Sequence, residues 1–256
     1  MSVDPERVVG SRRRTRPYEP QVASPEAVVF DHDGVLVDSI SPDFEACLRL
    51  FREHGADLPA ERWARDVCGN TDGYEALFRL LTEGTADPRG SVRPAGAGRL
   101  RARLAELWDE LLAPAQVPLM PGVRELLTRL AGQGVGLAVA SSADRGWVMR
   151  CLDHYGLTDY FDTVVSGSDV DRKKPAPDVY REALHRLGAA PARCLAVEDS
   201  LTGVAAARAA GLRVVAVPTS LTRFLDYGIA DVRVTGLPEI TDELLHRHFR
   251  EDAHAC

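Results

Sequence analysis

Five short apolar runs recur along this chain, each closed by a polar or turn-forming residue: 27–31 "AVVFD", 135–141 "VGLAVAS", 163–166 "TVVS", 194–198 "CLAVE" and 214–217 "VVAV". A strand with one face in water alternates polar and apolar side chains, whereas a run without alternation has both faces covered. Helical patterns at 122–132, 144–154, 177–187 and 201–210 separate the runs from the second onward. Buried strands alternating with helices close as right-handed βαβ crossovers. The expected fold is therefore α/β, a doubly wound parallel sheet of the Rossmann-like kind.

The alternation breaks once, between Ser39 and Leu119, where no strand pattern occurs. Phe44, Leu48 and Phe51 recur there at helical spacing, as do Tyr74, Leu77, Phe78 and Leu81, and then Leu100, Leu104, Leu107 and Leu111. The spacing predicts an all-helical domain over 41–118, inserted into an α/β core formed by 25–40 and 119–245. Residues 82–98, "TEGTADPRGSVRPAGAG", read as a Gly/Pro-rich loop within the insertion, and "PLMPG" at 118–122 as the return hinge. Residues 1–24 carry five Arg against three acids and read as a disordered basic leader.

The chemistry gathers at the ends of the apolar runs, which is where an open parallel sheet binds its ligands. Asp31 ends the first run, with Asp33 and Gly34 just beyond; Ser141 ends the second and Ser142 follows. Lys174 lies after the third, and Glu198 with Asp199 ends the fourth. Crowded carboxylates are costly unless a cation joins them, and an all-oxygen donor set suits Mg²⁺ completed by water and a substrate phosphate. A carboxylate can also attack phosphorus, and a second can carry the proton. Gly34 permits a sharp turn and a close approach.

Composition narrows the partners. The net charge of −7 argues against nucleic-acid binding as the main task, so an anionic substrate needs a local cation. Of 31 basic residues only Lys173 and Lys174 are Lys. A chain that writes Arg almost everywhere keeps Lys where a compact ammonium fits and a forked guanidinium does not. Lys174, directly before Pro175, is the expected site residue, and Lys173 a surface one. The five cysteines form no C-x-x-C and fit free thiols in a reducing compartment. No apolar run is long enough to span a bilayer, so the expectation is a cytoplasmic monomer or homodimer without membrane contact.

Four stretches together resemble the haloacid dehalogenase superfamily, in family order over roughly residues 27 to 217. "FDHDGVLVDS" is similar to its first motif, D-x-D-G-[TV]-x-x-D-[ST]; "AVASSA" to the second; "DRKKPAPDVY" to the third; "LAVEDSLTGVAAARAAGL" to the fourth. The insertion after the first motif matches the subgroup with a helical cap. The resemblance implies Asp31 as nucleophile and, through its other oxygen, a Mg²⁺ ligand. It implies Asp33 as general acid and base, with its backbone carbonyl on the metal. Ser141 would hydrogen-bond the phosphoryl, Lys174 would neutralise it, and Asp199 would ligate Mg²⁺ with Glu198 beside it, directly or through water. Gly34, Ser142, Asn70 and Thr71 stand as candidate substrate contacts. Ser200 reads as the N-cap of helix 201–210, and His32, pointing away from its two neighbours, as structural or variable.

Dehalogenases and phosphonate hydrolases of the superfamily lack the second Asp of the first motif, which this chain has. The expectation is a phosphatase acting on a small phosphorylated metabolite, a sugar, polyol or similar monoester. A sugar phosphomutase resembling β-phosphoglucomutase is the alternative, and a catalytically silent regulatory or binding protein a second. The mutase carries a cap Arg in a G-x-S-R pattern and a D-[ST]-x-x-x-H first motif. Here "CGNTDGYEAL" puts Asp72 at the Arg place, and "DSISPDF" has no His.

Overall fold

In the computed structural model, described over residues 24–70, 72–84 and 96–250, the apolar runs pair as parallel strands. They are β1 (Ala27–Phe30), β2 (Gly136–Ala140), β3 (Thr163–Val165), β4 (Cys194–Glu198), β5 (Arg213–Ala216) and a two-residue β6 (Val232–Arg233). The sheet order is β3-β2-β1-β4-β5-β6. Thr71, residues 1–23 of the leader, 85–95 of the Gly/Pro-rich loop, and Cys256 lie outside the described residues.

The lack of alternation in β1 is explained by what covers it. Val28 and Phe30 face a cluster with Leu127 and Leu130 of α5 (Val123–Gly132) and Val148 and Leu152 of α6 (Arg145–His154). Ala27 and Val29 face the opposite cluster, with Val179 and Tyr180 of α7 (Asp178–Leu187) and Val204 and Ala207 of α8 (Leu201–Ala209). Successive side chains point to opposite faces, so a strand covered by helices on both sides must be apolar throughout. Burial of each Val or Phe contributes about 1.5–3 kcal/mol.

Four helices occupy the interval between β1 and α5 among the described residues: α1 (Ile40–Glu53), α2 (Ala60–Asp66), α3 (Gly73–Gly84) and α4 (Ala97–Leu111). Leu50, Trp63, Leu77, Phe78, Leu100 and Leu104 bury one another in a cluster distinct from the two that sandwich the sheet. The insertion is thus an all-helical cap with its own core. Sequence periodicity finds α1, α3 and α4 but misses α2, whose seven residues bury only Trp63 and Ala64. It also misses β6, which is half-exposed and has no apolar run, and α9 (Asp242–Arg250). Ser200 caps α8 as expected, its hydroxyl accepting from Gly203 N at 3.1 Å. The cap of α6 is Asp144, which accepts from Trp147 N at 2.9 Å and leaves Ser141 and Ser142 to the sheet edge. Among the described residues no helix is long and apolar enough to cross a membrane.

Candidate active site

β1 lies between β2 and β4, with Phe30 opposite both Val139 and Val197. That register brings the residues just past the three strand ends side by side. Asp31 leaves β1 while its N–H still donates to Val197 O at 2.9 Å, and Ser141 N donates to Val165 O at 2.9 Å. The winding direction reverses between β1 and β4, the crevice where doubly wound sheets bind ligands. Asp31 and Asp199 stand on its two sides.

Lys174 reaches this crevice from the segment between β3 and α7 and is 4% exposed. Its Nζ donates to Asp31 Oδ1 at 2.7 Å and to Glu198 Oε1 at 2.6 Å. Burial opposes its charge, but the two carboxylates outweigh burial and hold the ammonium protonated. Tyr180 OH donates to the same Glu198 oxygen at 2.6 Å. Glu198 Oε2 accepts from Asp199 N at 3.1 Å, Ser200 N at 3.3 Å and Ser200 Oγ at 3.2 Å. Both Glu198 oxygens are therefore engaged by protein donors, and this carboxylate anchors Lys174.

Asp33 collects donors from three separate parts of the chain. Ser39 Oγ donates to its Oδ1 at 2.6 Å, Trp147 Nε1 to the same oxygen at 2.9 Å, and Ser141 Oγ to Oδ2 at 3.5 Å. The buried His32 places Nδ1 3.2 Å from Oδ2. Burial pushes the Asp33 pKa up, but His32, Ser39 and Trp147 outweigh it and hold the carboxyl well below its usual range. In turn the Asp33 charge overcomes the burial of His32 and raises its pKa to about 10. His32 thus sits buried beside a site carboxylate, with neither ring nitrogen in a hydrogen bond. Trp147 and Tyr180 escape sequence reading: each sits on a helix where an aromatic residue reads as core.

The remaining carboxylates ask for a cation. One oxygen each from Asp31, Glu198 and Asp199 fall within 4.8 Å of one another. Burial, then Glu198, raises the Asp31 pKa to about 7, against the pull of Lys174. Burial and the neighbouring Asp31 push Asp199 well above its usual value. Asp199 Oδ2 is buried with no hydrogen-bond partner. An orphaned buried oxygen beside a crowded carboxylate pair fits a hard divalent cation.

Gly34 closes the turn against this oxygen. Its φ is +82°, and a Cβ there would lie 2.1 Å from Asp199 Oδ2. The position touches the carboxylate cluster and does not line the cavity described below. Gly34→Ala is expected to cost about 1–2 kcal/mol from the left-handed conformation alone, a fall of about 2–8 °C in Tm. Circular dichroism melting checks it; an unchanged Tm would mean the turn relaxes without the glycine.

A cavity of about 720 Å³ opens above the cluster, lined by residues of the sheet edge and of the cap. Asp31, Asp33, Ser141, Ser142, Lys174 and Asp199 line it from the sheet edge. Ser142 Oγ accepts from Lys174 N at 3.3 Å. From the cap come Asp43, Tyr74, Trp108 and Asn70. Asn70 is largely turned to its own loop, donating to Asp66 O at 3.2 Å and accepting from Asp72 N at 3.1 Å. The expectation that Asp72 faces the substrate is corrected: Asp72 is exposed at the start of α3 and does not line the cavity. The cap acids that do are Asp109 of α4 and Asp43, the latter at the position where the mutase-like first motif carries His.

The family described as haloacid dehalogenase-like hydrolase matches residues 28–217. The protein CbbY of Rhodobacter capsulatus is 37% identical over 223 residues, covering 83% of this chain and 93% of the relative. Hexitol phosphatase B of Escherichia coli is 31% identical over 220 residues, covering 84% and 94%. The crystal structure of a CbbY mutant from Rhodobacter sphaeroides in complex with xylulose-1,5-bisphosphate superimposes with a TM-score of 0.64 at 28% identity, over 83% of this chain and 94% of that one. The match spans β1 through the end of β5 and takes in the cap and every strand end that carries a site residue. On that extent the chain belongs to the haloacid dehalogenase-like hydrolases.

Proposed function

We propose that the chain is a Mg²⁺-dependent phosphatase that hydrolyses a small organic phosphate monoester through an aspartyl-phosphate on Asp31. The observation that carries this reading is the bridge from Lys174 to Asp31 and Glu198 at the floor of a cavity that also holds Asp33 and the unpaired Asp199 oxygen. Residues 25–40 and 119–245 form the catalytic part in this proposal, and residues 41–118 the part that selects the substrate.

Asp31 attacks phosphorus with the oxygen that Lys174 does not hold. The bond to the leaving oxygen breaks, and Asp33 supplies that oxygen with a proton. Asp33 starts as a carboxylate; an anionic phosphoryl brought beside it raises its pKa, so that it takes up a proton from solvent and passes that proton to the leaving oxygen. Water then attacks the acyl-phosphate, Asp33 takes its proton, and inorganic phosphate leaves with Asp31 restored. Ser141 donates to the phosphoryl oxygens and Lys174 offsets their charge. Asp31, Asp199, the Asp33 carbonyl and, directly or through water, Glu198 would hold Mg²⁺, which would supply further charge neutralisation at the phosphoryl group.

Relatives named for phosphatase activity support the hydrolytic outcome over transfer. The cap supports it too, since among the described residues its cavity wall offers Asp43 and Asp109 and no basic side chain to grip a second phosphate during transfer. The expected result is release of phosphate from p-nitrophenyl phosphate with Mg²⁺, lost with EDTA and restored by Mg²⁺. No glucose 6-phosphate is expected from β-glucose 1-phosphate, even with a bisphosphate primer. Isomer formation outpacing phosphate release would promote the mutase, and no turnover of any ester would promote the silent protein.

A further inference from the structure

Three cap helices converge on one carboxylate. Asp43 of α1 accepts from Tyr74 OH of α3 at 2.7 Å on Oδ2 and from Trp108 Nε1 of α4 at 2.7 Å on Oδ1. The Cys47 thiol adds a weak contact at 4.0 Å. The Tyr74 and Trp108 rings meet edge to face with centroids 5.1 Å apart, and all three side chains line the cavity. Burial raises the Asp43 pKa, against these two donors, to about 6, so the group is an anion at neutral pH.

A carboxylate accepts about four hydrogen bonds, and two strong donors leave capacity on both oxygens. The side of Asp43 that meets the cavity therefore presents a fixed acceptor flanked by two aromatic faces. Such a wall takes hydroxyl groups as donors and C–H faces as apolar surface. It repels phosphate. The other charged groups around the cavity do not reverse this. Arg150 and Lys173 line it from the sheet side and Asp109 from the cap, and all three are exposed, where water screens them.

The geometry points to Asp43, held by Tyr74 and Trp108, as the specificity residue that binds the hydroxyls of an uncharged sugar or polyol tail and excludes a second phosphate. This rests on the phosphatase reading above. It separates two chemistries found among similar proteins, since one relative is named for hexitol phosphates and another is seen with a bisphosphate. The substrate class is then a polyhydroxylated monophosphate with its phosphate at Asp31 and its hydroxyl chain along Asp43.

The experiment measures kcat/KM for a panel of hexitol and hexose monophosphates, for fructose 1,6-bisphosphate and for p-nitrophenyl phosphate, which has no hydroxyl tail. For the wild type, the best monophosphate is expected to exceed both of the others by about tenfold or more. In Asp43→Asn, the ratio of best monophosphate to p-nitrophenyl phosphate should fall about tenfold, and the ratio of bisphosphate to monophosphate should rise about tenfold. Folding is followed by circular dichroism. If Asp43→Asn does not fold, Tyr74→Phe keeps the carboxylate but frees it to move, and should lower the first ratio severalfold. A wild type that prefers the bisphosphate, or ratios unmoved in the folded variant, would overturn the assignment of Asp43 alone. Absence of phosphate release from every ester, p-nitrophenyl phosphate included, would overturn the phosphatase reading and this inference with it.

Discussion

Asp31→Asn is expected to lower kcat by at least about four orders of magnitude, about 5.4 kcal/mol of lost transition-state stabilisation, with the fold intact. The amide keeps the shape of the carboxylate, and its oxygen still accepts from Lys174 Nζ, which sits 2.7 Å from Asp31 Oδ1. Lys174 also retains Glu198 at 2.6 Å, so the substitution leaves no buried ammonium unpaired. What is lost is the nucleophile, because an amide oxygen does not attack phosphorus at a useful rate. The measurement is steady-state phosphate release from the best substrate, paired with a melting curve. A variant with wild-type turnover would remove Asp31 from the nucleophile role; one with collapsed Tm would show that Asp31 holds the fold.

Lys174→Arg is the second large effect, expected at about a hundredfold or more in kcat/KM, about 2.7 kcal/mol. The charge is kept, so a purely electrostatic role would tolerate it. The site does not have room for the change. Lys174 is 4% exposed, touches two carboxylates, and lies 4.9 Å from the centre of the Tyr180 ring. A planar fork needs a wider gap between Asp31 and Glu198 than one ammonium fills, and Glu198 cannot retreat because Tyr180, Ser200 and two backbone N–H groups hold it. Lys173→Arg is the matched control: its side chain borders the same cavity but is exposed, where an arginine has room, and its kcat/KM should stay within about twofold of wild type. The reverse ranking would move the cation of the site by one residue.

Both predictions use residues visible in the chain before any coordinates, and that visibility has a physical origin. A buried parallel strand must be apolar on both faces, so the first polar residue after it marks where the sheet ends. Asp31, Ser141, Glu198 and Asp199 are legible for that reason, and the structure finds each within one residue of its strand end. The helical insertion is legible because 3.6-residue periodicity survives without neighbours, except in α2, which is too short to show it. Asp33 and Gly34 follow from the turn that Asp31 must make.

The partners of these residues were not legible. Trp147 binds Asp33 across 114 positions, and Tyr180 binds Glu198 across 18. Asp43 and Trp108 meet across 65 positions, and nothing in either local pattern marks the encounter. Resemblance to the mutase pattern put Asp72 at the cap Arg place, and the turn that leads into α3 leaves it exposed and outside the cavity. By itself the sequence determined the strand ends, the helical insertion and the residue types that carry the chemistry, because local periodicity and turn chemistry encode all three. Which donor meets which carboxylate, which oxygen is left unpaired and which acid faces the cavity were decided only by tertiary structure. Those depend on strand register, helix phase and the seat of the cap, and they exist only once segments far apart in the chain have packed together.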